Sequence, residues 1–237
     1  MSEIILDLSG VGFDYPGVKV IDELDLRVAK GELVVCVGPS GCGKSTLLSL
    51  LAGHLQPTRG TVERKGASRT IYQDGGLFPW LTVRQNIEQG LPRDAPVDSR
   101  AKKVADWLEI TRLAEFAGSY PHQLSGGMRQ RVELARALAA ETDILLLDEP
   151  FSALDYQTRT RMRRELVATL AERPRTVVFV THDIEEAVMI ADRVLVLGAR
   201  PTSVRKILDL PGDRSRTPAS PGVAEAEQAI LEELGLS

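Results

Sequence analysis

The sequence predicts an α/β fold. Its parallel-sheet core is joined to an N-terminal antiparallel β subdomain and interrupted by an inserted α-helical subdomain. Three observations carry this. Leu33-Val34-Val35-Cys36-Val37 is apolar throughout, as a strand buried on both faces must be, and a Gly-rich turn and a helical stretch follow it. Ile144 to Leu147 and Val177 to Val180 repeat that apolar pattern, with the helical segment Arg159 to Leu170 between them, which is the βαβ logic of a parallel sheet. Residues 4–28 instead alternate apolar and polar with period two, the mark of a half-exposed antiparallel sheet.

Taken in order, Ile4-Ile5-Leu6 and Val11 to Tyr15 read as short strands. A turn at Pro16-Gly17 leads into the alternation Leu24, Leu26, Val28. After the Leu33 strand, Thr46 to Ala52 is helical. Residues 74–142 are mainly helical, with Trp107 and Leu108 in one periodic segment and Met128 to Ala139 in another. Val194 to Leu197 adds a further strand. Beyond Pro211-Gly212 an irregular connector runs through Pro218 and Pro221. Val223, Ala226, Ile230 and Leu234 then recur at helical spacing, as in a helix docked on its own domain. The expected organisation is a discontinuous core of residues 1–73 and 143–210, a helical subdomain at 74–142, and a tail with a short helix at 211–237.

Composition is that of a globular protein, with 43% hydrophobic and 26% charged residues. A net charge of -4 argues against a general nucleic-acid binder, because phosphate backbones are held by excess Lys and Arg. No apolar run approaches the ~20 residues that span a bilayer, and residues 1–5 lack the basic-then-apolar order of a secretory signal. Any membrane role is therefore expected to be peripheral. Cys36 and Cys42 are expected as free thiols in a reducing compartment.

Gly38-Pro39-Ser40-Gly41-Cys42-Gly43-Lys44-Ser45, followed by Thr46, matches the phosphate-binding pattern G-x-x-x-x-G-K-[ST]. Glycines let the backbone curl so that its N–H groups face inward, and the following helix adds its positive end. Lys44 is placed to neutralise β- and γ-phosphates, and the Ser45 hydroxyl to ligate Mg²⁺. Asp148 and Glu149 end a buried strand, where ligands sit in an open α/β sheet. Asp148 suits the metal, and Glu149 suits polarising the water that attacks the γ-phosphate. His182, after the Val177 strand, is a candidate γ-phosphate contact. Composition and spacing reach a P-loop nucleoside triphosphatase.

Leu124-Ser125-Gly126-Gly127-Met128-Arg129-Gln130-Arg131 resembles the signature sequence of the ATP-binding-cassette family, and the rest of that family's set stands in order. Gln73 is similar to its glutamine-loop residue, which contacts Mg²⁺ and senses the transmembrane partner. Ser152-Ala153-Leu154-Asp155 resembles the D-loop, and Thr181-His182-Asp183 the switch histidine. Tyr15 falls where the family stacks an aromatic ring on adenine, with Phe13 two residues away as the alternative.

The resemblance implies an ATPase that uses ATP and Mg²⁺. Two such subunits, most simply two copies of this chain, would close head to tail, so that Ser125, Gly126 and Gly127 of one complete the site of the other. It also implies integral-membrane permease subunits as partners, an indirect link to a solute-binding protein, no nucleic-acid partner, and a peripheral place on the cytoplasmic face of the cell membrane. Met128, where many relatives have Gln, and the stretch Leu77-Phe78-Pro79-Trp80 are similar to importers for nitrate, sulfonates and taurine. Phe78 and Trp80 belong either to core packing or to an exposed groove that receives a permease helix. The extra C-terminal regulatory domain of many sugar importers is not expected. Exporter cassettes and nucleic-acid-handling members are the alternatives. The second group carries paired cassettes, long coiled coils or zinc modules that this sequence lacks.

Overall fold

The computed structural model describes residues 3–72 and 76–236. In chain order the elements begin β1 (Ile4–Tyr15), β2 (Val18–Ala29), β3 (Leu33–Val37), α1 (Lys44–Ala52), β4 (Arg59–Arg64) and β5 (Ser68–Ile71). Three helices follow, α2 (Val83–Glu88), α3 (Val97–Ile110) and α4 (Gly126–Ala139), then β6 (Ile144–Asp148) and α5 (Tyr156–Glu172). The chain continues with β7 (Thr176–Thr181), α6 (Ile184–Ile190), β8 (Arg193–Leu197), β9 (Val204–Asp209) and α7 (Val223–Leu234). They form two compact units. One combines Met1–Thr70, Asp143–Glu149 and Pro174–Ser237; the other combines Ile71–Thr142 and Pro150–Arg173.

The first unit is built on two sheets. β2, β1 and β4 form an antiparallel sheet in that order. Pro16 and Gly17 close the β1–β2 hairpin with Tyr15 opposite Val18, and Gly17 supplies the positive φ of 77° that such a tight turn needs. The two short strands expected at Ile4 and Val11 are one strand. Its register shifts between Leu8 and Val11, where Gly10 takes a φ of 58° and donates its N–H to Asp25 Oδ1 at 2.7 Å. A bulge of this kind breaks the period-two pattern without ending the strand.

The second sheet has six strands in the order β5-β6-β7-β3-β8-β9. β3 is parallel to both β7 and β8, and β6 is parallel to β7, whereas β9 closes the edge antiparallel. β3, β6 and β7 are buried along their whole length, which explains their unbroken apolar runs. The connector before α7 is irregular but tethered. Arg214 bonds the Asp192 carboxylate and, at 2.7 Å, the Gly31 carbonyl, while Arg216 donates to the Ala191 carbonyl at 2.8 Å. Val223, Ala226 and Ile230 of α7 are buried.

In the second unit α5 buries Met162, Leu166 and Leu170, one side chain per turn, and α3 buries Val104, Trp107 and Leu108. α2 opens on a capping box in which Thr82 and Gln85 exchange backbone and side-chain bonds. Among the described residues, no helix is long and apolar enough to cross a membrane.

Candidate active site

The site is set by strand register. In the parallel order β6-β7-β3, Asp148 lies opposite Val180 and Val37 opposite Thr181, so the three strands end at one level. The Gly38 loop, Asp148, Glu149 and His182 all leave the sheet along that edge, where parallel sheets place their ligands.

The loop after β3 is shaped by what its glycines exclude. A Cβ on Gly38 would stand 3.0 Å from the Leu197 carbonyl oxygen and 3.1 Å from Cys42 Sγ. Gly43 has a φ of 116°, and a Cβ there would come within 2.8 Å of Val20 Cγ1. Lys44, the first residue of α1, is nearly buried, and its ammonium curls back to donate to the Gly38 and Pro39 carbonyls at 2.9 and 3.1 Å. Pro39, Ser40, Gly41 and Ser45 are exposed, and Thr46 is half-buried. A concave loop with exposed rim, a helix N-terminus and one ammonium has the character of a polyphosphate cradle.

Thr202, which sequence reasoning missed, braces this loop from behind. Its hydroxyl donates to the Cys42 carbonyl, its N–H donates to the Val20 carbonyl at 2.7 Å, and its carbonyl accepts from the Asp22 N–H at 2.9 Å. Only the fold brings residue 202 to residue 42. Both cysteines are free and buried. Burial pushes the Cys36 thiol up to about 12, with neighbouring Cys42 adding to the rise, and burial raises Cys42 as well.

Glu149 takes a φ of 45°, a left-handed conformation uncommon outside glycine, and its N–H donates to the Val180 carbonyl at 2.9 Å. This turn brings Glu149 Oε2 to 3.1 Å from His182 Nδ1. His182 is positioned by a buried frame of its own. Thr181 Oγ1 donates to Glu186 Oε2 at 2.9 Å and accepts the Asp183 N–H at 3.0 Å, and Asp183 caps α6 by accepting from the Glu186 N–H. Asp148 is buried at the strand end.

The Ser45 hydroxyl and the Asp148 carboxylate are hard oxygen donors of the kind Mg²⁺ takes. Among the described residues no group of three or more His, Cys, Asp or Glu side chains is placed to hold a metal. That sparse set fits a cation that draws its remaining ligands from phosphate and water, as Mg²⁺ does. Gln73, the third expected ligand, lies outside the described residues.

Phe13 and Tyr15 meet edge to face, ring centroids 4.9 Å apart, but they differ in access. Phe13 is 7% exposed and Tyr15 46%, so Tyr15 has the ring open to an adenine.

The helical unit carries the remaining candidates. Ser125 caps α4 by accepting the Met128 N–H at 3.2 Å, and Ser125 and Gly126 are exposed. A Cβ on Gly127 would stand 2.9 Å from the Ala153 carbonyl oxygen, so only glycine fits there. Gln130 reaches the same segment: its Oε1 accepts the Ala153 N–H at 2.9 Å and its Nε2 donates to Ser152 Oγ at 3.3 Å. Asp155 caps α5 by accepting the Thr158 N–H at 3.0 Å, a bond that also holds its carboxyl below the usual range. Trp80 is 70% exposed and Phe78 38%, their rings 5.6 Å apart, with the Arg136 guanidinium 5.2 Å from the Phe78 ring centre. Asn86, fully buried, holds this stretch by accepting the Phe78 N–H and donating to the Phe78, Leu81 and Thr82 carbonyls. Of the two readings of Trp80, exposure excludes core packing.

A triphosphate cradle beside an aspartate, a glutamate and a histidine on aligned parallel strand ends defines a P-loop ATPase. The profile of the ABC transporter family matches residues 21–152, more than half of the chain, and the chain belongs to that family. It is 42% identical over 235 residues to an aliphatic sulfonates import ATP-binding protein of Rhodococcus jostii, covering 97% of this chain and 93% of that one. It is 37% identical over 251 residues to a taurine import ATP-binding protein of Pelagibacter ubique, covering 98% and 94%. Among solved structures, a dimeric bacterial ABC transporter cassette superposes with a TM-score of 0.79 at 31% identity, covering 88% of this chain and 100% of that one. The same cassette in a post-hydrolysis state, bound to ADP and Pi, gives 0.78 at 31% identity and the same coverage. The chain is an ABC-type ATPase.

Proposed function

We propose that this chain is the ATP-hydrolysing subunit of an importer for a small sulfonate or a related solute such as taurine or nitrate. It acts as one half of a head-to-tail cassette pair, peripheral on the cytoplasmic face of the membrane beneath separate permease subunits. A solute-binding protein selects the cargo, and nucleic acid is not a partner. The observation that carries the ATPase part is the convergence of the Lys44 loop, Asp148, Glu149 and His182 on one edge of a parallel sheet. The names of the relatives support the importer part.

Tyr15 stacks on the adenine, and the N–H groups of residues 38–46 with the Lys44 ammonium hold the phosphates. Ser45 and Asp148, with Gln73, would hold Mg²⁺, which when bound neutralises charge on the β- and γ-phosphates. Glu149 takes the proton of the attacking water as that water's oxygen bonds to the γ-phosphorus and the bond to the β-phosphate oxygen breaks. His182 keeps Nδ1 toward Glu149, leaving Nε2 for the γ-phosphate. Ser125, Gly126 and Gly127 supply the positive end of α4 to the γ-phosphate held by the other subunit, with Asp155 at the same pairing surface. Phe78 and Trp80 form the seat for a permease helix.

Reconstitution in liposomes with the permease and binding protein encoded beside this chain tests the proposal. A binding protein loaded with taurine or an alkanesulfonate should raise ATP turnover several-fold and move solute inward. Transport only outward, or turnover that responds to nucleic acid alone, overturns it.

A further inference from the structure

The helical unit holds a second polar pocket that the ATPase reading does not use. It is a recess of roughly 120 Å³ lined by Thr111, Arg112, Arg131, Gln157, Thr158 and Arg161, among others. One water needs only about 10–15 Å³ of such space, so a four-oxygen ion fits.

Three guanidiniums line this recess together. Among the described residues, no carboxylate lies within ion-pair distance of Arg112, Arg131 or Arg161. Arg131 spends one N–H on the Thr111 carbonyl at 2.6 Å, and Arg161 makes one long bond of 3.4 Å to the Glu109 carbonyl. The Arg131 Nε is buried with no hydrogen-bond partner. Burial lowers the Arg131 pKa and Asp155 opposes that, while Arg112 and Arg161 push the same way as burial. Like charges gathered in one recess destabilise the fold unless something negative joins them.

Arg112 is also held there at a cost. It follows α3 in a Schellman ending, its N–H bonded to the Glu109 carbonyl and the Leu113 N–H to that of Leu108. Glycine normally fills that left-handed position, yet Arg112 takes it with a φ of 53°. The pocket's other wall is the first turn of α5, with Thr158 and Gln157 on it, where Asp155 caps the helix by accepting the Thr158 N–H.

We propose that this recess binds a tetrahedral oxyanion, either an inorganic ion such as sulfate or phosphate or the head of an organic sulfonate. Guanidinium forks match such oxygens two at a time. The ion ties together the end of α3, the middle of α4 and the start of α5. It therefore bridges the helix that carries Ser125 to the one capped by Asp155.

Equilibrium dialysis or titration calorimetry with sodium sulfate, sodium phosphate and methanesulfonate, at ionic strength matched with sodium chloride, tests this. Lys44→Ala removes binding at the nucleotide loop. At least one anion should bind saturably to both the wild type and Lys44→Ala, and at least tenfold more weakly to the Arg112→Ala/Arg161→Ala double variant. The anion that binds names the source. Gln157 is exposed, so Gln157→Glu puts a negative charge at the mouth without touching the core and should weaken binding to a similar degree. It decides the matter if the double variant fails to fold. The proposal is overturned if no anion saturates, if all saturable binding disappears with Lys44→Ala, or if the pocket variants bind like wild type.

Discussion

His182 Nδ1 and Glu149 Oε2 stand 3.1 Å apart, and each partner has its own support: Glu149 the backbone bond to the Val180 carbonyl, His182 the side-chain frame of Thr181 and Glu186. Glu149→Gln keeps the shape and removes the basic oxygen. ATP should still bind, steady-state hydrolysis should fall by about 10²–10⁴, and a nucleotide-bound dimer should accumulate on size exclusion. Turnover like that of the wild type would take Glu149 out of the role of base.

The left-handed backbone at Glu149 makes a separate, stability-based prediction. Glu149→Gly and Glu149→Ala should both lose hydrolysis, but Gly fits a φ of 45° and Ala does not. Gly should therefore be the more stable by about 1 kcal/mol in denaturant melts. Equal stability would mean that the backbone relaxes at no cost.

Gly43→Ala should weaken ATP binding at least tenfold and destabilise the protein by about 1–3 kcal/mol, because φ 116° and the 2.8 Å approach to Val20 both oppose a side chain. Adding Val20→Ala should recover the packing part of that loss and leave the conformational part. Full recovery would show that crowding alone was responsible.

Thr202→Val removes only the hydroxyl behind Cys42. It should cost about 1 kcal/mol of stability and loosen nucleotide affinity several-fold, read by titration with a fluorescent ATP analogue. Unchanged affinity would reduce Thr202 to packing.

Cys36 has a folded pKa of about 12 against an ordinary 9.0. An unfolded thiol loses its proton first, so above pH 9 the unfolded state binds fewer protons and stability falls as pH rises. Cys36 contributes up to about 1.4 kcal/mol per pH unit in this window, which ends at the folded pKa. Denaturant melts between pH 8 and 10 should show a shallower alkaline decline for Cys36→Ala than for the wild type. Parallel curves would contradict the burial-driven shift.

Legibility in the sequence followed how local each signal was. Leu33–Val37, Ile144–Asp148 and Thr176–Thr181 announce themselves because strands buried on both faces must be apolar throughout. The Lys44 loop was readable because its shape needs glycines at fixed spacing. Strands β4 and β9 escaped notice because they lie at sheet edges and keep polar side chains in water. Expected helix starts came late for a related reason: α1 and α5 begin on Lys44 and Tyr156, ahead of the apolar periodicity that marks them. Thr202, Asn86 and Glu186 were invisible, since a polar side chain becomes structural only when folding buries it beside a hydrogen-bond partner. The choice between Phe13 and Tyr15 needed solvent exposure, which alternation alone does not rank.

Gly127 and Gln130 both press on Ala153, one by having no side chain and the other by a hydrogen bond. The helix start capped by Ser125 and the loop ending at Asp155 are thereby welded into one part. Neither can be presented to another molecule without the other, so whatever docks on this face has to satisfy both in a single event. The joint works as a two-key lock, and a change at Gln130 would let one key turn alone.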